Sequence, residues 1–283
     1  MSRKAVEATA SDGFDMVSPN EVKFMQPEAE PALDLKAYAK SVQRVATPVH
    51  FPADPNAFVF DASVAEIFDN MALRSIPGYG YFYERIADLL HNRISVSRYS
   101  QVWDFGVSTG AGLAAVKRAV FHPYVEYFGV DISDPMLAKA HERCPFATMI
   151  NHDLRRGLPD GMRKGEVSVA IFGWTLQFLE DKELRRELIA KTAENLSEYG
   201  SIFIGEKFTN AWIPLQEVNE DAYYAWRIQN GYSLPEIRAK SMALTNSMWP
   251  WKWEEAQDVA HSCGLRMFPL YRQFNFGGYV LTR

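Results

Sequence analysis

The chain has 283 residues, of which 47% are hydrophobic and 23% charged; that is ordinary for a globular protein with a sizeable core and suits one large α/β domain behind an N-terminal extension. A formal net charge of -5 and a pI near 5.7 argue against a broadly basic nucleic-acid binder. Two distant cysteines, Cys144 and Cys263, exclude a disulfide framework and make a structural zinc improbable, so both are expected as reduced, buried thiols of a cytoplasmic protein.

Residues 1–56 read as a partly ordered extension, broken by Pro19, Pro27, Pro31, Pro48, Pro52 and Pro55. Only Leu33–Val45 suits a short helix there. The first residues lack an apolar stretch long enough for a signal peptide, and runs such as Val167–Phe172 are far short of a membrane span. Phe51, Phe58 and Phe60 suggest that the extension docks where residues 57–283 begin to fold. Ser63–Leu73 and Tyr81–Ile94 carry apolar residues at helical spacing around Ile76-Pro77-Gly78-Tyr79-Gly80. Strand-like and helix-like segments then alternate. Gln101–Phe105 is a strand and Ala111–Phe121 a helix; Tyr124–Val130 and Asp134–Arg143 repeat the pair. Phe146–Asn151, Val167–Phe172 and Ser201–Gly205 complete the short apolar strands, and the amphipathic helix Asp181–Ser197 precedes the last of them, with Gly200 as its expected stop. Alternation of this kind implies βαβ units and a parallel sheet. Leu265–Phe274 and Tyr279–Thr282, joined by Asn275-Phe276-Gly277-Gly278, have no room for a helix between them and should pair antiparallel at a sheet edge. A mostly parallel sheet with a C-terminal antiparallel hairpin is the Rossmann-like class I methyltransferase fold.

Three strand ends carry the chemistry. In Val102-Trp103-Asp104-Phe105-Gly106-Val107-Ser108-Thr109-Gly110-Ala111-Gly112, a strand closing on Asp104 runs through small residues into a helix. Gly106 and Gly110 allow tight turns, Val107 and Ser108 lie between them, and the helix start offers unpaired N–H groups to a polar ligand. The pattern differs from the dinucleotide fingerprint, since Ser108 stands at its middle glycine; a glycine-rich turn without a ligand is the alternative. Asp131 ends the next strand, 27 residues after Asp104, where an acid accepts ribose hydroxyls. Its alternative role is a helix cap, since Asp131 and Ser133 both precede a helix. Asp153 ends the third strand, in position for an acid or a neighbouring N–H to read an adenine edge. His152 beside it reads as structural. Trp249, Trp251 and Trp253 read as core or interface packing rather than a base-stacking platform, and Glu180–Glu187 as the solvated face of a helix.

From about residue 58 the chain resembles the carboxy-S-adenosyl-L-methionine synthases. The resemblance rests on Phe60-Asp61 with Val64-Ala65-Glu66-Ile67-Phe68, Arg74-Ser75-Ile76-Pro77-Gly78-Tyr79, Thr175-Leu176-Gln177-Phe178-Leu179-Glu180, Glu206-Lys207-Phe208, Asn230-Gly231-Tyr232-Ser233 and Phe274-Asn275-Phe276-Gly277. It implies S-adenosylmethionine or its carboxylated form as cofactor, with no metal. Tyr79 would contact the cofactor's amino-acid end, Gly106–Ser108 would line the loop beneath it, Asp131 with Ile132 would hold the ribose, and Asp153 with Leu154 the adenine. The resemblance further implies prephenate as carboxyl donor, a role in tRNA wobble-uridine modification without direct nucleic-acid binding expected, and a homodimer.

Two positions depart from the family. Gly173 stands where the family has a cofactor-contacting asparagine, and an ungapped alignment puts Ser241 where it has the arginine that pairs with the cofactor's extra carboxylate. Arg238, three residues before Ser241 and on about the same helical face, is the expected substitute; Lys240 is the weaker candidate because adjacent helix positions face different ways. Three readings stand at this point: a carboxylating synthase, a conventional methyltransferase of unknown acceptor, and a non-catalytic cofactor-binding partner protein.

Overall fold

The computed structural model describes residues 60–92, 96 and 98–283. The expected extension 1–56, its helix at 33–45, and Phe51 and Phe58 lie outside the described residues. Helix α1 (Ala62–Ser75) starts at Asp61, whose carboxylate accepts the Val64 N–H at 3.0 Å. A turn through Gly78 leads into α2 (Tyr79–Asn92). Then follow β1 (Gln101–Phe105), α3 (Ala111–Ala119), β2 (Glu126–Asp131), α4 (Asp134–Arg143), β3 (Thr148–Asn151), β4 (Val167–Gly173), α5 (Lys182–Asn195) and β5 (Leu196–Thr209). The chain continues through α6 (Ile213–Gln229), α7 (Leu234–Leu244), the short β6 (Trp251–Lys252), α8 (Trp253–Ser262), β7 (Arg266–Gln273) and β8 (Phe276–Thr282).

The sheet order is β3-β2-β1-β4-β5-β8-β7, with β6 paired to β5 off this path. Neighbours from β3 to β5 are parallel, and β8 is antiparallel to both β5 and β7. Strand order reverses between β1 and β4, so a crevice opens beyond their carboxyl ends, where α/β sheets bind ligands.

Both faces of the sheet are buried, and strand alternation sorts the side chains between them. Val102, Ile171 and Phe203 pack on one face with Phe82 and Ile86 of α2 and Leu113 and Val116 of α3. Trp103, Phe105, Phe172 and Ile204 pack on the other with Leu188 and Ile189 of α5 and Val259 of α8. Trp251 is part of this second core, Trp253 packs against it, and the Trp253 ring lies 5.1 Å from that of Phe208. Packing, as expected, is what the structure shows for those two tryptophans.

The structure differs from the expected segments at three places. Asp181 caps α5 through the N–H groups of Glu183 and Leu184, but the helix stops at Asn195 and β5 begins at once, running through Gly200 to Thr209. The hairpin turn is Phe274-Asn275, with Phe274 at φ 52°, and Phe276-Gly277-Gly278 belongs to β8. Gly278 is in the strand for want of space: a Cβ there would come within 2.6 Å of the Phe82 ring. Of the two cysteines, Cys144 is buried but Cys263 is only partly so. Among the described residues no helix is long and apolar enough to cross a membrane.

Candidate functional site

A cavity of about 290 Å³ opens at the switch point, near the lower bound of small-molecule pockets, which run from ~300 to ~1,000 Å³. Its lining brings together Tyr79, Gly106, Ser108, Asp131, Ile132, Asp153, Leu154 and Gly173. Asp104, Val107 and Gly110 are buried and are not part of that lining.

The loop after β1 is shaped by close packing. Gly106 adopts φ 78°, and a Cβ there would collide with the Thr175 side chain, which itself donates to the Phe105 carbonyl at 2.8 Å. The Gly106 and Val107 N–H groups donate to the Val130 carbonyl at 2.7 and 2.9 Å, which ties the loop to the end of β2. Asp131 stands there, mostly buried. Its Oδ2 accepts the Ser108 N–H at 2.9 Å and its Oδ1 the Ser133 N–H at 3.0 Å. Each carboxylate oxygen has a second lone pair, so both retain acceptor capacity toward the cavity. The helix-cap alternative falls elsewhere: Ser133 caps α4 by accepting the Met136 N–H.

Burial governs the acids. It raises the carboxyl pKa of Asp131 despite the opposing backbone hydrogen bonds. Asp104, beneath the loop, is pushed up to about 8 by burial and then by the Asp131 charge, against the Leu113 N–H that favours its ionised form. Asp153 behaves oppositely. Its carboxylate caps the short turn Leu154–Arg156 and pairs with the Arg155 side chain at 2.8 Å, and these hydrogen bonds lower its pKa. A ligand at Asp153 therefore meets an acceptor already shared with Arg155. His152 contacts the Gly157 carbonyl at 3.0 Å, which fits its structural reading although it also lines the cavity.

The opposite wall is aromatic and cationic. Tyr79, Tyr83 and Trp174 form one cluster, with Tyr79 4.9 Å from Trp174 and 5.2 Å from Tyr83. The two tyrosine hydroxyls share a hydrogen bond, and burial raises both pKa values. Gly173 faces this cluster: a Cβ there would lie 2.7 Å from the Tyr83 hydroxyl. Lys240 enters from α7, buried, and donates to the Ser75 hydroxyl at 2.6 Å. Burial first, then the Arg227 and Arg74 guanidiniums, drive its pKa well below the ordinary value.

Arg238 is on the exposed side of α7 and is absent from the cavity lining, whereas Lys240, two residues on, is in it. Ser241 also misses this cavity; its hydroxyl donates back to the Ile237 carbonyl at 2.9 Å. From sequence alone, the helical face shared with Ser241 puts Arg238 ahead of Lys240. The buried stripe of α7 is Ile237, Lys240 and Ala243, a 3-residue spacing that counts Lys240 inward.

The quoted motifs meet around this wall. Arg74 of α1 donates to the carbonyls of Asn230 and Gly231, both at 2.7 Å. Gln177 accepts the Lys207 N–H at 2.7 Å, and the Asn275 carbonyl accepts the Phe208 N–H at 2.6 Å. Each motif thus supports another across the site.

Comparison with known proteins gives the family of this chain. The carboxy-S-adenosyl-L-methionine synthase of Actinobacillus pleuropneumoniae serotype 7 is 35% identical over 232 residues, covering 80% of this chain and 93% of its own. The synthase of the same name from Pasteurella multocida is 31% identical over 231 residues, with the same shares covered. No protein-family model matches the chain. Among solved structures, an O-methyltransferase family protein from Burkholderia thailandensis matches with a TM-score of 0.55 at 16% identity, over 88% of this chain and 69% of that one. A Methanococcus maripaludis protein described as an S-adenosyl-L-methionine-dependent methyltransferase matches with a TM-score of 0.51 at 17% identity, over 81% and 95%. At such identities the structures establish the fold, a Rossmann-like methyltransferase sheet.

Proposed function

The chain belongs to the carboxy-S-adenosyl-L-methionine synthase family, and from that premise we propose that it is a transferase that places a carboxyl group on the methyl carbon of S-adenosylmethionine. The observation that carries the reading is Lys240, a buried cation in the wall of the same cavity that holds Asp131 and Tyr79. Asp131 would accept from the ribose hydroxyls, and Ile132 and Leu154 would flank the nucleoside. Asp153 would meet the adenine from beside Arg155. Tyr79, over Gly106 and Ser108, would contact the amino-acid end. Lys240 would then face the new carboxylate, the role expected of Arg238 from the sequence.

The physical requirement is charge pairing. A carboxylate in a largely apolar cavity costs several kcal/mol unless a cation meets it. Lysine serves as a point charge where arginine would grip with two N–H groups. The anion would also restore part of the lysine's proton affinity, which burial and then the neighbouring guanidiniums depress. We propose prephenate as the donor: its ring carbon–carboxyl bond breaks as its ring hydroxide departs, which leaves phenylpyruvate, and the methyl carbon gives one proton to that hydroxide as water and bonds to the released carboxyl carbon. A place in tRNA wobble-uridine modification, a cytoplasmic location and a homodimer belong to the same proposal.

The test is to incubate the protein with S-adenosylmethionine and prephenate and to look for the carboxylated product by mass spectrometry. Product is expected from the wild type and not from Lys240→Met. No product from the wild type, with only plain cofactor bound, would overturn the reading in favour of a conventional methyltransferase.

A further inference from the structure

A second cavity of about 300 Å³ adjoins the first, between α6, α7 and the end of β5. The two share Tyr223, Lys240, Leu244, Met248 and Phe276 as a common wall. The charged groups lining the second cavity are Lys207 from β5, Arg227 from α6 and Lys240 from α7, opposed by one carboxylate, Glu220.

Arg227 is the informative member. It is 3% exposed, and its Nε and Nη2 have no hydrogen-bond partner. Its guanidinium lies 5.3 Å from the ring centroids of both Tyr223 and Tyr232, contacts that hold it in place without satisfying its N–H groups. Arg74 shows what a purely structural arginine does nearby: at 2% exposure it spends its Nε and Nη2 on two backbone carbonyls. A buried guanidinium with two open donors is costly unless an acceptor arrives. Lys207 is held beside it over the rings of Tyr223 and Phe276, at 5.9 and 5.8 Å. Burial and then Arg227 push the Lys207 pKa down, against the pull of Glu220. Three basic groups lining a small space with one carboxylate make a site that favours anions, and the guanidinium fork suits a carboxylate.

We propose that this second cavity binds a small dicarboxylate, the carboxyl donor of the transfer reaction, with Arg227 gripping one carboxylate and Lys207 offsetting the remaining charge. Lys240, on the shared wall, stands between donor and cofactor. The donor's role rests on the function proposed above, whereas the site's affinity for a dicarboxylate does not.

The experiment is isothermal titration of the whole protein with prephenate and with its monocarboxylate relative phenylpyruvate, each with S-adenosylhomocysteine present. The wild type should bind prephenate at least tenfold more tightly than phenylpyruvate. Arg227→Gln should lose tenfold or more of the prephenate affinity, and Arg227→Lys less, with S-adenosylhomocysteine affinity held within twofold in both. Should Arg227→Gln fail to fold, Lys207→Met provides the same test from β5. Unchanged prephenate affinity in a folded variant, or equal affinity of the wild type for the two acids, would overturn the proposal. Arg227-dependent prephenate binding without any carboxylated product would defeat the proposed reaction and leave this site standing.

Discussion

The floor and the roof of the site are built from opposite charges. Below, the ends of β1, β2 and β3 bring Asp104, Asp131 and Asp153 to one edge. Above, β5, α6 and α7 bring Lys207, Arg227 and Lys240 around two joined cavities. On each side burial disfavours ionisation: it raises Asp104 and Asp131 and lowers Lys207 and Lys240. The difference lies in what relieves that cost. The floor acids receive backbone N–H groups from the turns they support, so the fold meets much of their demand. The roof cations sit among aromatic rings, and Arg227 keeps open donors. One half is held mainly by the chain, and the other is arranged for something the chain does not contain.

The largest expected effect tests the floor as a structural unit. The Asp104 carboxyl has its ordinary value of 3.8 when unfolded and about 8 when folded. Between those values the folded state binds a proton that the unfolded state does not. The resulting stability is present below about pH 4, is lost as pH rises toward 8, and is absent above that. Denaturant midpoints should fall across this window, and Asp104→Asn should flatten the fall by a few kcal/mol. Glu206, also pushed up to about 8 by burial, contributes a slope of the same sign, so the measured quantity is the difference between wild type and variant. Equal slopes would mean that Asp104 is ionised in the fold.

The floor was also the half most legible in the sequence. Acids at strand ends, small residues after β1 and the 27-residue spacing from Asp104 to Asp131 are local patterns set by backbone geometry, and the structure brings Asp131 and Asp153 to one cavity. The roof depends on which side of α7 turns inward, and that is fixed by tertiary contacts: Lys240 to Ser75, and Arg74 to the Asn230-Gly231 turn. The helical face shared with Ser241 favoured Arg238, whereas the spacing of Ile237, Lys240 and Ala243 was the available signal for Lys240. The helices α6 and α8 carried no expectation of their own, and the orphaned donors of Arg227 have no sequence signature.

The next effects divide floor from roof by ligand. Asp131→Ala removes an acceptor for the ribose, and should cost about 1.5–3 kcal/mol of S-adenosylhomocysteine binding by calorimetry; unchanged affinity would move the nucleoside site elsewhere. Lys240→Met should leave that affinity nearly intact while reducing the preference for the carboxylated cofactor over the plain one by about tenfold, or about 1.4 kcal/mol. If both ligands weaken equally, the two halves do not act separately.

The smallest effect lies at the seam between them. Gly173 ends β4 beside the Tyr79–Tyr83–Trp174 cluster, in the position where an asparagine was expected from the family. A Cβ there would lie 2.7 Å from the Tyr83 hydroxyl oxygen but 3.6 Å from Cζ, an ordinary contact. The Tyr83 ring cannot simply swing aside, since it packs against Phe82, Tyr79 and Trp174 at 5.3, 5.2 and 5.9 Å and shares a hydrogen bond with the Tyr79 hydroxyl. Glycine at 173 and tyrosine at 83 are therefore one fitted pair. Gly173→Ala should cost about 1 kcal/mol of stability through overpacking. Tyr83→Phe removes the obstructing oxygen, so adding Gly173→Ala in that background should cost much less, a coupling of 0.5 kcal/mol or more in a double-mutant cycle. Additive costs would show that the hydroxyl is not what keeps residue 173 small. With coupling present, an asparagine at this position requires the aromatic wall to be rebuilt, and Tyr83 is the side chain that has taken its space.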